Sequence, residues 1–182
     1  MGCNCSNHVR LENENKKPIS VCVLGLLNSG KTSIIEYLAG EYNINNPPIH
    51  TNGVVIWDLP FHNILFRFYD IGSFGASDSN VQESINSSNA ALYVIDGHTF
   101  QYNLKAFNEL LETSSPSIVK RHLPIAVIIN KAKDEATDNS QQQIEKAIES
   151  YFGSETKKKY IKMSQIDDSI FPVFQWIHDN VQ

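Results

Sequence analysis

Short apolar runs alternate along the chain with segments whose apolar side chains recur at helical spacing. The apolar runs predict strands at Ser20–Leu24, Val54–Leu59, Ile64–Asp70, Ala90–Asp96, Ile125–Asn130 and Lys159–Met163. The helical spacing predicts helices near Lys31–Ala39, Tyr102–Glu112, Gln141–Phe152 and Phe171–Val181. This alternation is typical of an α/β protein in which helices cover both faces of a mostly parallel sheet.

Two of the predicted strands are too close in sequence for a crossover connection. Only residues 60–63, Pro-Phe-His-Asn, separate Val54–Leu59 from Ile64–Asp70. A connection of this length permits only antiparallel pairing. We therefore predict a six-stranded sheet that is parallel except for one antiparallel hairpin at its edge.

The segment between the first strand and the first helix carries candidate chemistry. Residues 25–32, Gly-Leu-Leu-Asn-Ser-Gly-Lys-Thr, fit the phosphate-binding P-loop pattern G-x-x-x-x-G-K-[ST] in its required strand–loop–helix setting. In such a loop, backbone N–H groups and the positive end of the helix dipole face an anion. Lys31 would lie against the outer phosphates, and the Thr32 hydroxyl would ligate magnesium. A chance glycine-rich turn before a helix is the alternative, and the setting argues against it.

Composition and charge restrict the class of protein. A chain of 182 residues with 41% hydrophobic and 19% charged residues is typical of one globular domain, which we expect at 18–182, and we expect a monomer. The net charge of −5 argues against nucleic acid as the main partner. No apolar segment is long enough to span a bilayer, and the start lacks the apolar core of a secretory signal. We therefore expect a cytoplasmic location.

The first residues match an acylation signal. Residues 1–6, Met-Gly-Cys-Asn-Cys-Ser, fit the N-myristoylation pattern with Gly2 as the acceptor. One myristoyl chain binds membranes only marginally, and palmitoylation of Cys3 or Cys5 could supply the second anchor. One alternative is a disordered tail whose cysteines have no role. Another is a metal site formed by Cys3, Cys5 and His8, but the sequence offers no second cluster of ligands to complete it. We expect a flexible, acylated tail over 1–17 that holds the protein at the cytoplasmic face of a membrane.

Further motifs follow the P-loop in a fixed order. They are Thr51-x-Gly53, Asp70-x-Gly72, Val94-Ile95-Asp96 and Asn130-Lys131. This order resembles the Arf (ADP-ribosylation factor) family of small GTPases over nearly the whole chain from about Ile19. The resemblance implies the P-loop small-GTPase fold, GTP/GDP and Mg²⁺ as cofactors, and a molecular switch. Its switch loops, 44–53 and 71–80, would contact effector or regulator proteins.

The resemblance also implies a set of site residues. Thr32 and Thr51 match the hydroxyl ligands of Mg²⁺, and Asp70 matches the acidic residue beside the metal. The implied nucleotide-binding residues are Gly25, Asn28, Ser29, Gly30, Lys31, Thr32, Ser33, Thr51, Asp70, Ser73, Asn130, Lys131 and Asp134.

The second switch departs from the family pattern. Where the family reads Asp-x-Gly-Gly-Gln, this chain reads Asp70-Ile-Gly72-Ser73-Phe74. Ser73 still offers an N–H to the γ-phosphate, with less conformational freedom than glycine. Phe74 replaces the glutamine that orients the attacking water, and its side chain forms no hydrogen bonds. We therefore expect at most slow intrinsic hydrolysis and assign no catalytic residue.

The base-reading motif departs as well. The family selects guanine with Asn-Lys-x-Asp, whereas this chain reads Asn130-Lys131-Ala-Lys133-Asp134. A lysine cannot accept the guanine N–H donors. Asp134 comes one residue late, and a shifted loop could still present it. Two functions therefore stay open: a slow GTP-binding switch, and a pseudo-GTPase that serves as a membrane-tethered interaction module with weak or no nucleotide cycling.

A small nucleotide kinase is a third reading of the P-loop. Such enzymes use several arginines to neutralise two phosphate chains during transfer. The arginines of this chain are Arg10, Arg67 and Arg121, and the first lies in the tail. The sequence also has no evident lid insertion between strands, so we reject this function.

Overall fold

The computed structural model describes residues 17–72, 79–132 and 136–181. Several residues that the sequence singles out lie outside the described residues, and their predicted roles stay predictions. They are Gly2, Cys3, Cys5, His8, Ser73, Phe74, Lys133 and Asp134.

Strands and helices alternate through the described part of the chain. The strands are β1 (Ile19–Leu24), β2 (Val54–Phe61), β3 (Ile64–Ile71), β4 (Ala90–Asp96), β5 (Ile125–Asn130) and β6 (Lys158–Lys162). The α-helices are α1 (Lys31–Ala39), α2 (Ser79–Ser87), α3 (Leu104–Lys120), α4 (Ala136–Phe152) and α5 (Phe171–Asn180). Short 3₁₀ helices, Phe100–Asn103 and Asp168–Ile170, lead into α3 and α5. Within these ranges, none of the helices has the length and apolar character needed to cross a membrane.

The strands form one six-stranded sheet in the order β2-β3-β1-β4-β5-β6. All neighbours are parallel except β2 and β3, which pair antiparallel from Val54↔Ile71 to Phe61↔Ile64. The prediction of a mostly parallel sheet with an antiparallel hairpin at one edge is thus confirmed. The predicted turn was too long: only His62 and Asn63 form it, and His62 takes the left-handed conformation with φ 52°. Pro60 belongs to β2, an edge strand, where a missing N–H leaves no ladder bond unmade.

Side chains alternate between the faces of the sheet and build two cores. In β1, Cys22 and Leu24 enter the first core, while Val21 and Val23 enter the second. The first core is completed by apolar side chains of α2, α3 and α4, and the second by those of α1 and α5. Helices therefore cover both faces, as predicted.

The helix predictions needed three corrections. Helix α2 was missed, because its described buried apolar side chains, Val81 and Ile85, are too few to show a period. Helix α3 was expected to end at Glu112, yet it continues to Lys120. Helix α4 begins at Ala136 rather than at Gln141.

Helix α3 contains a proline and contacts α2 beside it. Pro116 has no N–H to donate to the preceding turn. Nearby, the Gln82 side-chain amide of α2 donates to the Thr113 carbonyl oxygen at 3.3 Å, and the Ser117 hydroxyl donates to Gln82 Oε1 at 3.3 Å. We call this polar contact of Gln82 with Thr113 and Ser117, next to Pro116, the α2–α3 joint.

Candidate functional site

A cavity of about 500 Å³ opens between the P-loop, the start of α1 and the loop before β2. It is lined by Leu27, Asn28, Gly30, Lys31, Thr32, Ser33, Tyr42, Pro47, Pro48, Ile49, His50, Thr51, Gly72 and Lys131. The cavity lies beyond the carboxyl ends of β1 and β3, where open α/β sheets bind ligands. Seven of the sequence-predicted site residues are in this lining.

The P-loop takes a shape that requires left-handed backbone at two positions. Asn28 has φ 61°, and Gly30, directly before α1, has φ 101°. A Cβ at position 30 would overlap the side-chain amide nitrogen of Asn130. Glycine at this position therefore lets the P-loop pack directly against the end of β5.

Two residues at the end of β5 anchor the P-loop from behind. The Asn130 side-chain amide donates to the Ser29 carbonyl oxygen at 3.0 Å. Lys131 Nζ donates to the Asn28 carbonyl oxygen at 2.6 Å and pairs with Asp96 Oδ2 at 2.8 Å. Segments about a hundred residues apart are thus held together before any ligand binds.

Lys31 places a buried positive charge on the floor of the cavity. The residue is 7% exposed, and its Nζ donates to the carbonyl oxygens of Gly25 and Leu26 at 3.0 and 3.1 Å. Burial lowers the pKa of the Lys31 ammonium, and the Asp70 carboxylate acts in the opposite direction. Because the lysine is hydrogen-bonded only to neutral carbonyl groups, an anion in the cavity would add to the counter-charge that Asp70 supplies.

Thr32, Thr51 and Asp70 form a hydroxyl–carboxylate cluster beside Lys31. Thr32 Oγ1 donates to Asp70 Oδ2 at 2.7 Å, Thr51 Oγ1 lies 3.2 Å from the same oxygen, and the two hydroxyls are 2.9 Å apart. Asp70 is fully buried, and its other oxygen, Oδ1, has no partner among the described residues. The cluster connects α1, the loop before β2 and the end of β3.

This cluster fits the needs of Mg²⁺. A buried carboxylate with one unbonded oxygen is costly unless a cation or donor approaches it, and Mg²⁺ takes hard oxygen ligands. Over 17–72, 79–132 and 136–181, no group of three or more His, Cys, Asp or Glu side chains could hold a metal by itself. A magnesium ion here would therefore draw its other ligands from hydroxyls, water and the phosphates of a bound nucleotide.

Gly72 holds the end of loop 44–53, which contains Thr51, in position. Its N–H donates to the Gly53 carbonyl oxygen at 2.8 Å, and a Cβ at position 72 would overlap the Thr51 carbonyl oxygen. The predicted loop 71–80 is shorter than expected, because Ile71 ends β3 and α2 begins at Ser79. Of the residues between them, the structure describes Gly72.

The remaining predicted residues support the cavity from behind or lie outside the described residues. Gly25, Ser29, Asp70 and Asn130 do not line it, but their contacts shape its wall and floor. Ser29 is 1% exposed, and its hydroxyl has no partner in the described part of the chain. Ser73 and Asp134 lie outside the described residues.

Sequence reasoning missed several residues of the cavity wall. They are Leu27, Tyr42, Pro47, Pro48, Ile49 and His50. It also missed the role of Asp96, whose carboxylate holds Lys131. The sequence does show a loop rich in Asn and Pro at 41–53, but which of its side chains turn inward depends on how Thr51 and Gly53 are fixed.

Comparison with known protein families gives one family match. The model of the family described as the ADP-ribosylation factor family matches residues 6–181. Among curated proteins, the ADP-ribosylation factor-like protein 6 of Caenorhabditis elegans is 26% identical over 117 residues, which is 64% of this chain. The signal recognition particle receptor subunit beta of Dictyostelium discoideum is 24% identical over 132 residues. The match spans 62% of the length of the first relative and 44% of the second.

Comparison with solved structures shows the same fold. The Arl6 BBS3 small GTPase of Trypanosoma brucei, solved with the nucleotide analogue GppNp, superposes with a TM-score of 0.72 at 15% identity. The superposition covers 90% of this chain and 96% of that one. The translation elongation factor SelB of Methanococcus maripaludis, solved with the GTP analogue GppNHp, gives a TM-score of 0.66 at 15% identity over 92% of this chain and 35% of that one.

Proposed function

The chain belongs to the ADP-ribosylation factor family of small GTPases, and from this membership we propose that it is a GTP-binding switch. The observation that carries the proposal is the pairing of a buried Lys31 with the Thr32–Thr51–Asp70 cluster in one cavity. A buried cation beside an incompletely bonded carboxylate is suited to a phosphate chain that brings its own magnesium ion.

Each group of site residues has a separate role in this proposal. Lys31 neutralises the outer phosphates, while the backbone N–H groups of the P-loop, from Gly25 to Ser33, surround the inner ones. Thr32 and Thr51 hold Mg²⁺, and Asp70 accepts from both hydroxyls. The ion screens the negative charge of the phosphates when bound. Asn130 and Lys131 brace the loop from the side on which the base would lie.

Residues outside the described ranges bear on how fast the protein would hydrolyse GTP and whether it would select guanine. We propose that Ser73 offers its N–H to the γ-phosphate and that Phe74 leaves hydrolysis slow, because its side chain cannot orient water. Asp134 would read guanine only if the loop after Lys131 shifts by one residue, since Lys133 cannot accept the guanine donors. If it does not shift, the protein would bind nucleotides with little preference for the base.

The alternative function is a pseudo-GTPase that serves as an interaction module. The three substitutions Ser73, Phe74 and Lys133 favour it, and it predicts weak, static or absent nucleotide binding. In either case we propose that loops 44–53 and 71–80 contact effector or regulator proteins. We also propose that the tail, acylated at Gly2 and at Cys3 or Cys5, holds the domain 18–182 as a monomer at the cytoplasmic face of a membrane.

Nucleotide titration of the purified protein tests the proposal. GTP, GDP and ATP would be compared with magnesium and with a chelator, for the wild type, for Lys31→Ala and for the control Lys120→Ala in the exposed last turn of α3. We expect GTP and GDP to bind the wild type and the control, and Lys31→Ala to lose at least about tenfold in affinity, because a charge-assisted contact with phosphate is removed.

Each result of the titration separates the functions. Binding of guanine nucleotides but not ATP supports the switch and means that Asp134 or another residue reads the base. Equal binding of ATP means that guanine selection is lost. No binding by the wild type refutes the switch and leaves the interaction module.

A further inference from the structure

His50 places a nitrogen donor in the wall of the cavity. It lines the cavity together with Lys31, Thr32 and Thr51, and its side chain is exposed to solvent. Within the described ranges, no hydrogen bond or ion pair holds its imidazole. The ring is therefore free to contact a ligand that enters the cavity.

The other cavity side chains that can carry a positive charge are already engaged. Lys31 Nζ donates to two P-loop carbonyl groups, and Lys131 Nζ bonds to the Asn28 carbonyl oxygen and to Asp96. Leu27, which projects from the P-loop into the same lining, has no polar group and is 54% exposed. Of the described lining residues that can carry a positive charge, Lys31, His50 and Lys131, only His50 has a side chain with no hydrogen bond or ion pair within the described ranges.

The backbone beside His50 is held close to the hydroxyl–carboxylate cluster of Thr32, Thr51 and Asp70. Thr51, the next residue, shares the Asp70 carboxylate with Thr32. Its carbonyl oxygen packs against Gly72, whose N–H is bonded to the Gly53 carbonyl oxygen. His50 directly precedes Thr51, so the Cα atoms of the two residues are about 3.8 Å apart. The side chain of His50 therefore begins next to the hydroxyl–carboxylate cluster, where the outermost phosphate would lie.

We propose that His50 is the residue with which loop 44–53 contacts the terminal phosphate of a bound nucleoside triphosphate. The inference rests on the proposed function and adds a specificity-determining residue to it. An imidazole carries at least one N–H in either protonation state, so it can donate to a phosphate oxygen. A donor that reaches only the third phosphate binds the triphosphate state more tightly than the diphosphate state, and such a difference is what shifts a two-state loop.

The test compares the affinities for GDP and for the non-hydrolysable analogue GppNHp, both with magnesium. The proteins are the wild type, His50→Ala, His50→Gln and the control His98→Ala, whose exposed side chain lies outside the cavity and whose backbone bond to Asp96 is kept. We expect His50→Ala to lose about tenfold in affinity for GppNHp and less than about twofold for GDP, as removal of one hydrogen bond to a charged group predicts. His50→Gln keeps an N–H donor and should recover part of the loss.

The outcomes separate this inference from the proposed function. If the wild type binds both nucleotides and His50→Ala weakens them equally, or weakens neither, His50 does not read the terminal phosphate and the inference is overturned. If His98→Ala gives the same selective loss, the effect is not specific to the cavity and the inference is again overturned. If the wild type binds neither nucleotide, the proposed function fails and this inference fails with it.

Discussion

Asp70 carries a carboxylate at a position that solvent does not reach. One of its oxygens accepts from Thr32 and Thr51, and the other has no partner in the described structure. A buried charge that is only partly bonded destabilises a fold unless a cation or donor compensates it. Lys31, whose charge interacts with this carboxylate, is bonded to backbone carbonyls, so the carboxylate is available to a magnesium ion and its ligands.

The substitution Asp70→Asn should remove most of the gain in nucleotide affinity that magnesium provides. The amide oxygen can still accept from the two threonine hydroxyls, but the negative charge that favours the cation is lost. Titration with magnesium and with a chelator measures the gain, which we expect to fall by about tenfold or more. Asp58→Asn, in the half-exposed pair with Arg67, is the matched control. An unchanged magnesium gain in Asp70→Asn would contradict a metal role for this cluster.

The motif residues could be predicted from the sequence because each motif is a short pattern of residue types at set spacings. Lys31 and Thr32 follow from the P-loop pattern, and Thr51 and Asp70 follow from the resemblance to a family. His50 and Leu27 could not be predicted as wall residues. The exposure of His50 to the cavity depends on the Gly72–Gly53 hydrogen bond and the Thr51–Asp70 contact. That of Leu27 depends on the bonds by which Asn130 and Lys131 hold the P-loop. These contacts join segments that no local pattern connects.

The contact between α2 and α3 stabilises the two helices at the point where α3 contains a proline. Gln82 bonds to the Thr113 carbonyl oxygen and to the Ser117 hydroxyl across the α2–α3 joint. One turn further along α2, Arg121 Nη1 donates to the Ile85 carbonyl oxygen at 2.7 Å. These contacts hold α2, which begins at Ser79, to the body of the protein.

The substitution Gln82→Leu should lower the free energy of unfolding by about 1–2 kcal/mol, since it removes two partly buried hydrogen bonds while keeping side-chain volume. Urea unfolding of the wild type, of Gln82→Leu and of the exposed control Gln142→Leu measures the difference. Equal midpoints for all three proteins would show that the joint does not stabilise the fold.

The sequence identified strands better than helices, and burial explains the difference. β4 and β5 are covered on both faces, so nearly all their residues are apolar and the runs are easy to see. Helix α2 contacts the core through few residues, and most of its sequence is polar. In α3, the segment Ser114–Pro116 reads as a helix end, but burial of Ser114, Ser115 and Ile118 against the core carries the helix past it.

At the scale of the whole molecule, one sheet contributes to two cores and carries the cavity at the carboxyl ends of β1 and β3. The first core lies under α2, α3 and α4, and the second lies under α1 and α5. The P-loop connects β1 of this sheet to α1, and β5 anchors it. The cavity therefore draws its rigidity from strands that both cores hold in place.

If the tail is acylated as proposed, the substitution Gly2→Ala should shift the protein from the membrane fraction of cells to the soluble fraction, because myristoylation requires an N-terminal glycine. Replacing Cys3 and Cys5 by Ser should remove most of the retention, since one acyl chain binds only marginally. Fractionation of tagged proteins measures both effects, with Asn4→Ala as the control. Unchanged membrane recovery of Gly2→Ala would refute the acylated anchor.

The position of Pro60 has a consequence for the protein in concentrated solution. β2 forms one edge of the sheet, and an unpaired edge strand is a template for edge-to-edge pairing with another chain. Pro60 removes one N–H from the outer row, and Asp58 adds a charge nearby. At the opposite edge, β6 carries Lys159 and Lys162. Both edges thus oppose the addition of a further strand, which favours a protein that stays dispersed at high concentration.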